Sequence, residues 1–128
     1  MIRRILAFAL IAVFAVVLAG GCSDTQEETI EFTIRDYYSA YNAEDWEMCL
    51  GHIDDTSNVG ASVIQSALEE SRAATGKVTV DSIENVSISG LSATADVTLS
   101  WAGNTGGETQ KWTLVKKDGS WKISYPGP

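Results

Sequence analysis

Positive charge is scarce in this chain: nine lysines and arginines stand against 17 aspartates and glutamates, a formal net charge of −8. A surface of that sign is repelled by phosphate backbones and by anionic headgroups, which disfavours nucleic-acid partners and direct electrostatic adhesion to acidic lipid. Histidine is scarcer still, with His52 alone, and cysteine occurs only at positions 22 and 49. His52 beside Asp54 and Asp55 falls short of any recognised metal-ligand spacing, so neither a metal nor another cofactor is expected. A glycine-rich phosphate cradle and a nucleophile elbow are absent as well. Proline appears twice, at Pro126 and Pro128, where it ends strand pairing because it offers no ladder donor.

Long apolar runs are confined to the first residues. Arg3 and Arg4 form a positive n-region, Ile5 to Val17 is uninterrupted apolar sequence, and Leu18-Ala19-Gly20-Gly21 leads to Cys22. That pattern reads as a secretory signal over residues 1–21, too short for a stable span of ~20 apolar residues. Leu18-Ala19-Gly20-Gly21-Cys22 resembles the lipobox of bacterial lipoproteins, with Ala19 where the strictest form has leucine. The resemblance implies lipidation of Cys22 and attachment of the mature chain to the extracytoplasmic face of a membrane in the cell envelope. Losing the signal removes two bases and no acid, leaving 17 acids against 7 bases, a net charge of −10. Residues 22–27 then read as lipidated cysteine and short tether, and residues 28–128 as one domain, large enough for a modest core without disulfide staples. Cys49, left without a partner thiol, reads as a small buried hydrophobe.

The hydrophobic period divides the domain in two. Ile30, Ile34, Tyr37 and Tyr41 lie at helical spacing, predicting a helix from Glu28 to Asn42. Asp45 is placed to cap a second helix, with Trp46, Cys49, Leu50 and Ile53 as its stripe. Asp54 to Asn58 reads as a polar loop before a third helix carrying Val59, Val63, Ile64, Ala67 and Leu68 and stopping near Gly76. From there the period is 2. Val78 to Ile88 alternates irregularly, implying a bulge around Asp81–Asn85. Leu91 to Trp101 alternates without fault, and Gly103–Gly107 reads as a hairpin loop. Trp112 opens the next strand, Lys117 to Ser120 a turn, and Trp121 to Tyr125 the last strand. The expectation is an α+β, cone-like domain, with N-terminal helices packed on a curved antiparallel sheet of about four strands.

Two stretches carry a resemblance to a known family. Ile34-Arg35-Asp36-Tyr37-Tyr38-Ser39-Ala40-Tyr41-Asn42-Ala43-Glu44-Asp45-Trp46 resembles the first-helix pattern of nuclear transport factor 2-like (cystatin-like, SnoaL-like) domains. Trp112 to Ile123 resembles their closing hairpin. The resemblance implies a cone enclosing a pocket, used by some members for isomerase or dehydratase chemistry and by others for binding or dimerisation through the sheet. No complete catalytic set transfers to this chain. Tyr37, Tyr41, Trp46, Trp101 and Trp112 are candidate ligand contacts. His52, with Asp55 at i+3, is the candidate acid–base pair. Tyr37 is a candidate pocket hydroxyl, but its needed companion is a neutral carboxylic acid, and Asp96 falls on the polar face of its strand. The simpler reading makes His52 a helix-flank residue and the tyrosines core packing with a wet tip. The leading expectation is therefore a non-enzymatic, lipid-anchored domain that takes a small apolar ligand or an envelope protein. The alternative is a small isomerase- or dehydratase-type enzyme.

Overall fold

The computed structural model describes residues 25–125, so the signal, Cys22 and the terminal prolines lie outside the described residues. Helix α1 runs over residues 25–42. Its inner face carries Ile30, Ile34, Tyr37, Tyr38 and Tyr41, all 7% exposed or less, while Phe32 on the opposite side is 65% exposed. Thr33 is buried too, its hydroxyl donating back to the Thr29 carbonyl. The helix ends on a left-handed residue, Glu44 (φ 59°), with Asp45 N–H bonded to Ala40 O and Glu44 N–H to Tyr41 O. That pair of bonds satisfies orphan carbonyls of the last turn, and a glycine usually occupies the position Glu44 holds.

Helix α2 (Trp46–Gly51) follows at once, capped by Asp45, whose carboxylate accepts from Met48 N–H. It stops two residues earlier than the Trp46/Ile53 stripe predicts. Ile53 belongs instead to strand β1 (Ile53–Asp55), parallel to the last strand and in register with Ile123. Ile123 N–H donates to His52 O at 2.7 Å, so a ladder bond takes the place of the next helical turn. Helix α3 (Ala61–Thr75) starts after Gly60, and of its predicted stripe only Ile64 and Leu68 are buried. Val59 precedes the helix and is 40% exposed, and Val63 is 53% exposed. One narrow seam of α3 meets the core, and the predicted stripe was wider than that seam.

The remaining strands are β2 (Thr79–Ser89), β3 (Ser92–Trp101), β4 (Asn104–Lys117) and β5 (Ser120–Tyr125). With β1 they form one curved, unclosed sheet in the order β1-β5-β4-β3-β2, antiparallel except at β1. The predicted bulge in β2 appears as register shifts between Val80 and Ser82 and between Glu84 and Ser87. The β3–β4 turn is tighter than expected, for Trp101 already faces Asn104. The expected Gly103–Gly107 loop is mostly strand, with Gly107 (φ +81°) packed so closely that a Cβ would meet Thr98 Cγ2 at 3.3 Å. Asp118 and Gly119 both have positive φ, the two-residue turn that matches strand twist.

Alternation on β3 decides the layers. Ala93, Ala95, Val97 and Leu99 are buried against the helices, with Leu114, Trp121 and Ile123 from β4 and β5 in the same core. Thr94, Asp96, Thr98 and Ser100 face outward into polar pairs such as Thr98 with Thr109 at 2.8 Å and Asp96 with Lys111 at 3.4 Å.

Candidate functional site

Between the helices and the open end of the sheet lies a cavity of about 260 Å³. Helix α1 contributes Tyr37, Tyr38 and Tyr41, and the strands contribute Trp101, Trp112 and Tyr125. The rings meet edge to face: Tyr37 and Tyr38 at 4.9 Å and 81°, Tyr38 and Trp112 at 6.4 Å and 82°. That geometry is favoured by the ring quadrupole. Ser71 and Thr75 of α3 and Glu108 and Gln110 of β4 also line the cavity. Gln110 donates to Glu108 Oε2 at 2.9 Å, and Glu108 itself is exposed.

The tyrosine hydroxyls are not equivalent. Tyr41 donates to Ser71 Oγ at 2.9 Å and lies 3.3 Å from Thr75 Oγ1, which ties α1 to α3 at the rim. Burial, and secondarily the neighbouring phenol and thiol groups, pushes Tyr37 far above the ordinary tyrosine range. Burial does the same to Tyr38, helped by Tyr41. Both rings therefore stay neutral at physiological pH and do not act as bases. The indole N–H of Trp112 is buried with no acceptor among the described residues, an arrangement that ordinarily costs ~1–3 kcal/mol.

Of the residues proposed from sequence as ligand contacts, Tyr37, Tyr41, Trp101 and Trp112 line the cavity. Trp46 does not; its ring meets Tyr41 edge-on at 6.0 Å from outside the lining. The proposed His52–Asp55 pair is not formed. His52 Nε2 lies 2.6 Å from Asp36 Oδ2 on α1. Asp55 spends both oxygens on the Val59 and Gly60 amides at 2.9 and 2.7 Å, holding the loop into α3. His52, Asp36 and Asp55 are all absent from the cavity lining, where Glu108 is the one carboxylate among the described residues. Asp96 sits outside as expected, its carboxyl held below the ordinary range by the Asn85 amide and by Lys111. Cys49 is fully buried, its thiol pointing to Tyr37 O and pushed up to about 11, first by burial and then by Asp45. No described group of His, Cys, Asp and Glu could hold a metal ion, and no described helix is long and apolar enough to cross a membrane.

Glu108, Gln110 and Tyr125 were missed from sequence. Carrying the period-2 parity of β4 back from Leu114 through Trp112 reaches Gln110 and Glu108. The glycines at 103, 106 and 107 masked that parity by suggesting a loop.

Residues 51–126, more than half of the chain, match the family described as low molecular weight antigen MTB12, C-terminal domain. The chain belongs to this family. Its MTB12-type region spans β1 to β5 with α3, whereas α1 and its three tyrosines lie before the matched stretch. No curated protein matches the chain. Among solved structures it is similar to a Campylobacter jejuni protein provisionally named an NTF2-like transpeptidase, at 19% identity and TM-score 0.52. That match covers 77% of this chain and 96% of the other. An uncharacterised Caulobacter vibrioides protein with a cystatin-like fold matches at 18% identity and TM-score 0.56, covering 76% and 83%. A Mycobacterium tuberculosis protein of unknown function matches at 14% identity and TM-score 0.57, covering 83% and 73%. At these identities the likeness is one of fold, and the MTB12-type domain has the nuclear transport factor 2-like, cystatin-like fold that its sequence resembles.

Proposed function

We propose that this MTB12-family chain is a binding domain of the cell envelope, held to a membrane by lipid on Cys22 and taking a small apolar or amphipathic molecule into its cone. The observation that carries the reading is the aromatic cavity. Four tyrosines and two tryptophans stand around open volume, with hydrogen-bonding groups concentrated on α3 and β4. Binding sites for small molecules combine apolar walls with a few placed polar groups, in cavities of ~300–1,000 Å³. At about 260 Å³ this one suits a ligand smaller than a drug-sized molecule. The outward Thr94, Thr98 and Thr109 give the sheet a polar face for pairing with a second copy or an envelope protein.

Native mass spectrometry of the protein extracted from its parent host, freed of its lipid, tests the ligand reading. A reproducible small-molecule adduct is expected, and bare monomer or dimer would overturn it. For the anchor, Cys22→Ala should abolish metabolic lipid labelling and leave unprocessed precursor; unchanged labelling would remove the lipoprotein assignment.

A further inference from the structure

We infer that the cavity selects organic cations: ligands with an amine or ammonium group on an apolar body, the charge held between ring faces and the Glu108 carboxylate. This inference rests on the ligand-binding reading and names the class of ligand for the same cavity. Three features of the wall point to it.

Aromatic faces carry negative quadrupole potential, so a wall built from Tyr37, Tyr38, Tyr41, Trp101 and Trp112 attracts a cation more than a neutral group of equal size. The only charged side chain among the described lining residues is an anion, Glu108. Register fixes where it stands. Glu108 lies directly opposite Leu99 and Gln110 opposite Val97, so both belong to the concave face that Leu99 and Val97 occupy. Gln110 engages one carboxylate oxygen, Oε2, and Oε1 takes no side-chain bond among the described residues.

No described lysine or arginine lines the cavity. Arg72 of α3 donates to the Asn42 carbonyl at 3.1 Å. Lys111 pairs with Asp96 on the outer face, Lys117 pairs with Asp54, and Lys116 lies 5.8 Å above the Trp121 ring. An anionic ligand would meet the Glu108 charge with no counter-charge in the lining. A neutral ligand would forgo the attraction of the ring faces.

The test uses three probes of similar size: 2-phenylethylammonium, 2-phenylethanol and phenylacetate, titrated against the full mature chain by tryptophan emission. The ammonium is expected to bind about tenfold tighter than the alcohol, and phenylacetate more weakly than either. Raising salt should narrow the first ratio, because the Glu108 contribution is exposed to screening. Glu108→Gln, at an exposed position, should lower the ratio of ammonium to alcohol affinity to the part that the ring faces alone supply. Equal binding of all three probes, or a ratio undiminished in Glu108→Gln, would overturn the cation assignment and leave ligand binding standing. Silence from every probe, together with bare protein in the mass spectrum, would remove both.

Discussion

The two ends of the concave face are built from the same strands and finished differently. Ala93 and Leu114 face each other on β3 and β4 and are 2% and 0% exposed, within a cluster that includes Ile30, Ile34 and Ile64. Three same-face rungs along, Leu99 faces Glu108 beside an open cavity. Branched aliphatics and alanines adapt to one another and reach the density of a crystal. Tyrosine and tryptophan rings are rigid plates, and at this end they meet near 80° around the cavity. The contrast teaches that here the hollow comes from the kind of residue, not from a lack of apolar surface.

Three substitutions break or sharpen that contrast. Leu114→Ala, in the solid end, should cost roughly 2–5 kcal/mol in denaturant unfolding, because the lost methyls leave a void. A change within about 0.5 kcal/mol, the range of surface positions, would mean the solid end is no more tightly packed than the hollow one. Tyr41→Phe, at the rim, removes the bond to Ser71 and keeps the ring. A loss of about 1 kcal/mol is expected, with cavity binding retained. A loss as large as that of Leu114→Ala would show the rim to be core.

The smallest effect belongs to the outer face, where Lys117 holds the Asp54 carboxyl below its ordinary 3.8, with Thr56 assisting. A depressed carboxyl adds stability above its unfolded pKa and loses it as pH falls through the folded value. Lys117→Met should therefore move the Asp54 titration, followed by NMR, up toward 3.8 and flatten the acid limb of the stability curve. At neutral pH the change should stay within about 0.5 kcal/mol, as for other exposed pairs. An unmoved titration would mean that Lys117 does not set the Asp54 carboxyl.

Local features were legible because local chemistry determines them. The β3 alternation, the Asp45 cap, the Asp118-Gly119 turn and the buried Cys49 each depend on a few neighbouring residues. Features that rest on distant partners were not. Strand β1 is three residues long and exists through its pairing with β5, so its apolar Ile53 reads equally well as the end of a helical stripe. His52 has an aspartate at i+3 in sequence, yet its partner Asp36 lies 16 positions away, brought there by the fold-back of α2 on α1. The cavity was legible in its ingredients, since four of its aromatic residues were named from sequence. Its mouth was not, because Glu108 and Gln110 sit in a stretch whose glycines imitate a loop.

Thr25, the first described residue, is already helical. Thr25 lies three positions beyond Cys22, and three residues span at most ~10 Å. With lipid on Cys22, as proposed, such a leash holds the base of α1 against the headgroups. The domain then pivots there instead of roaming the surrounding water, and its search becomes nearly two-dimensional. Amphiphiles that collect at the bilayer surface would be met at a raised local concentration. Modest affinity in the cone would be enough to keep such a molecule in hand.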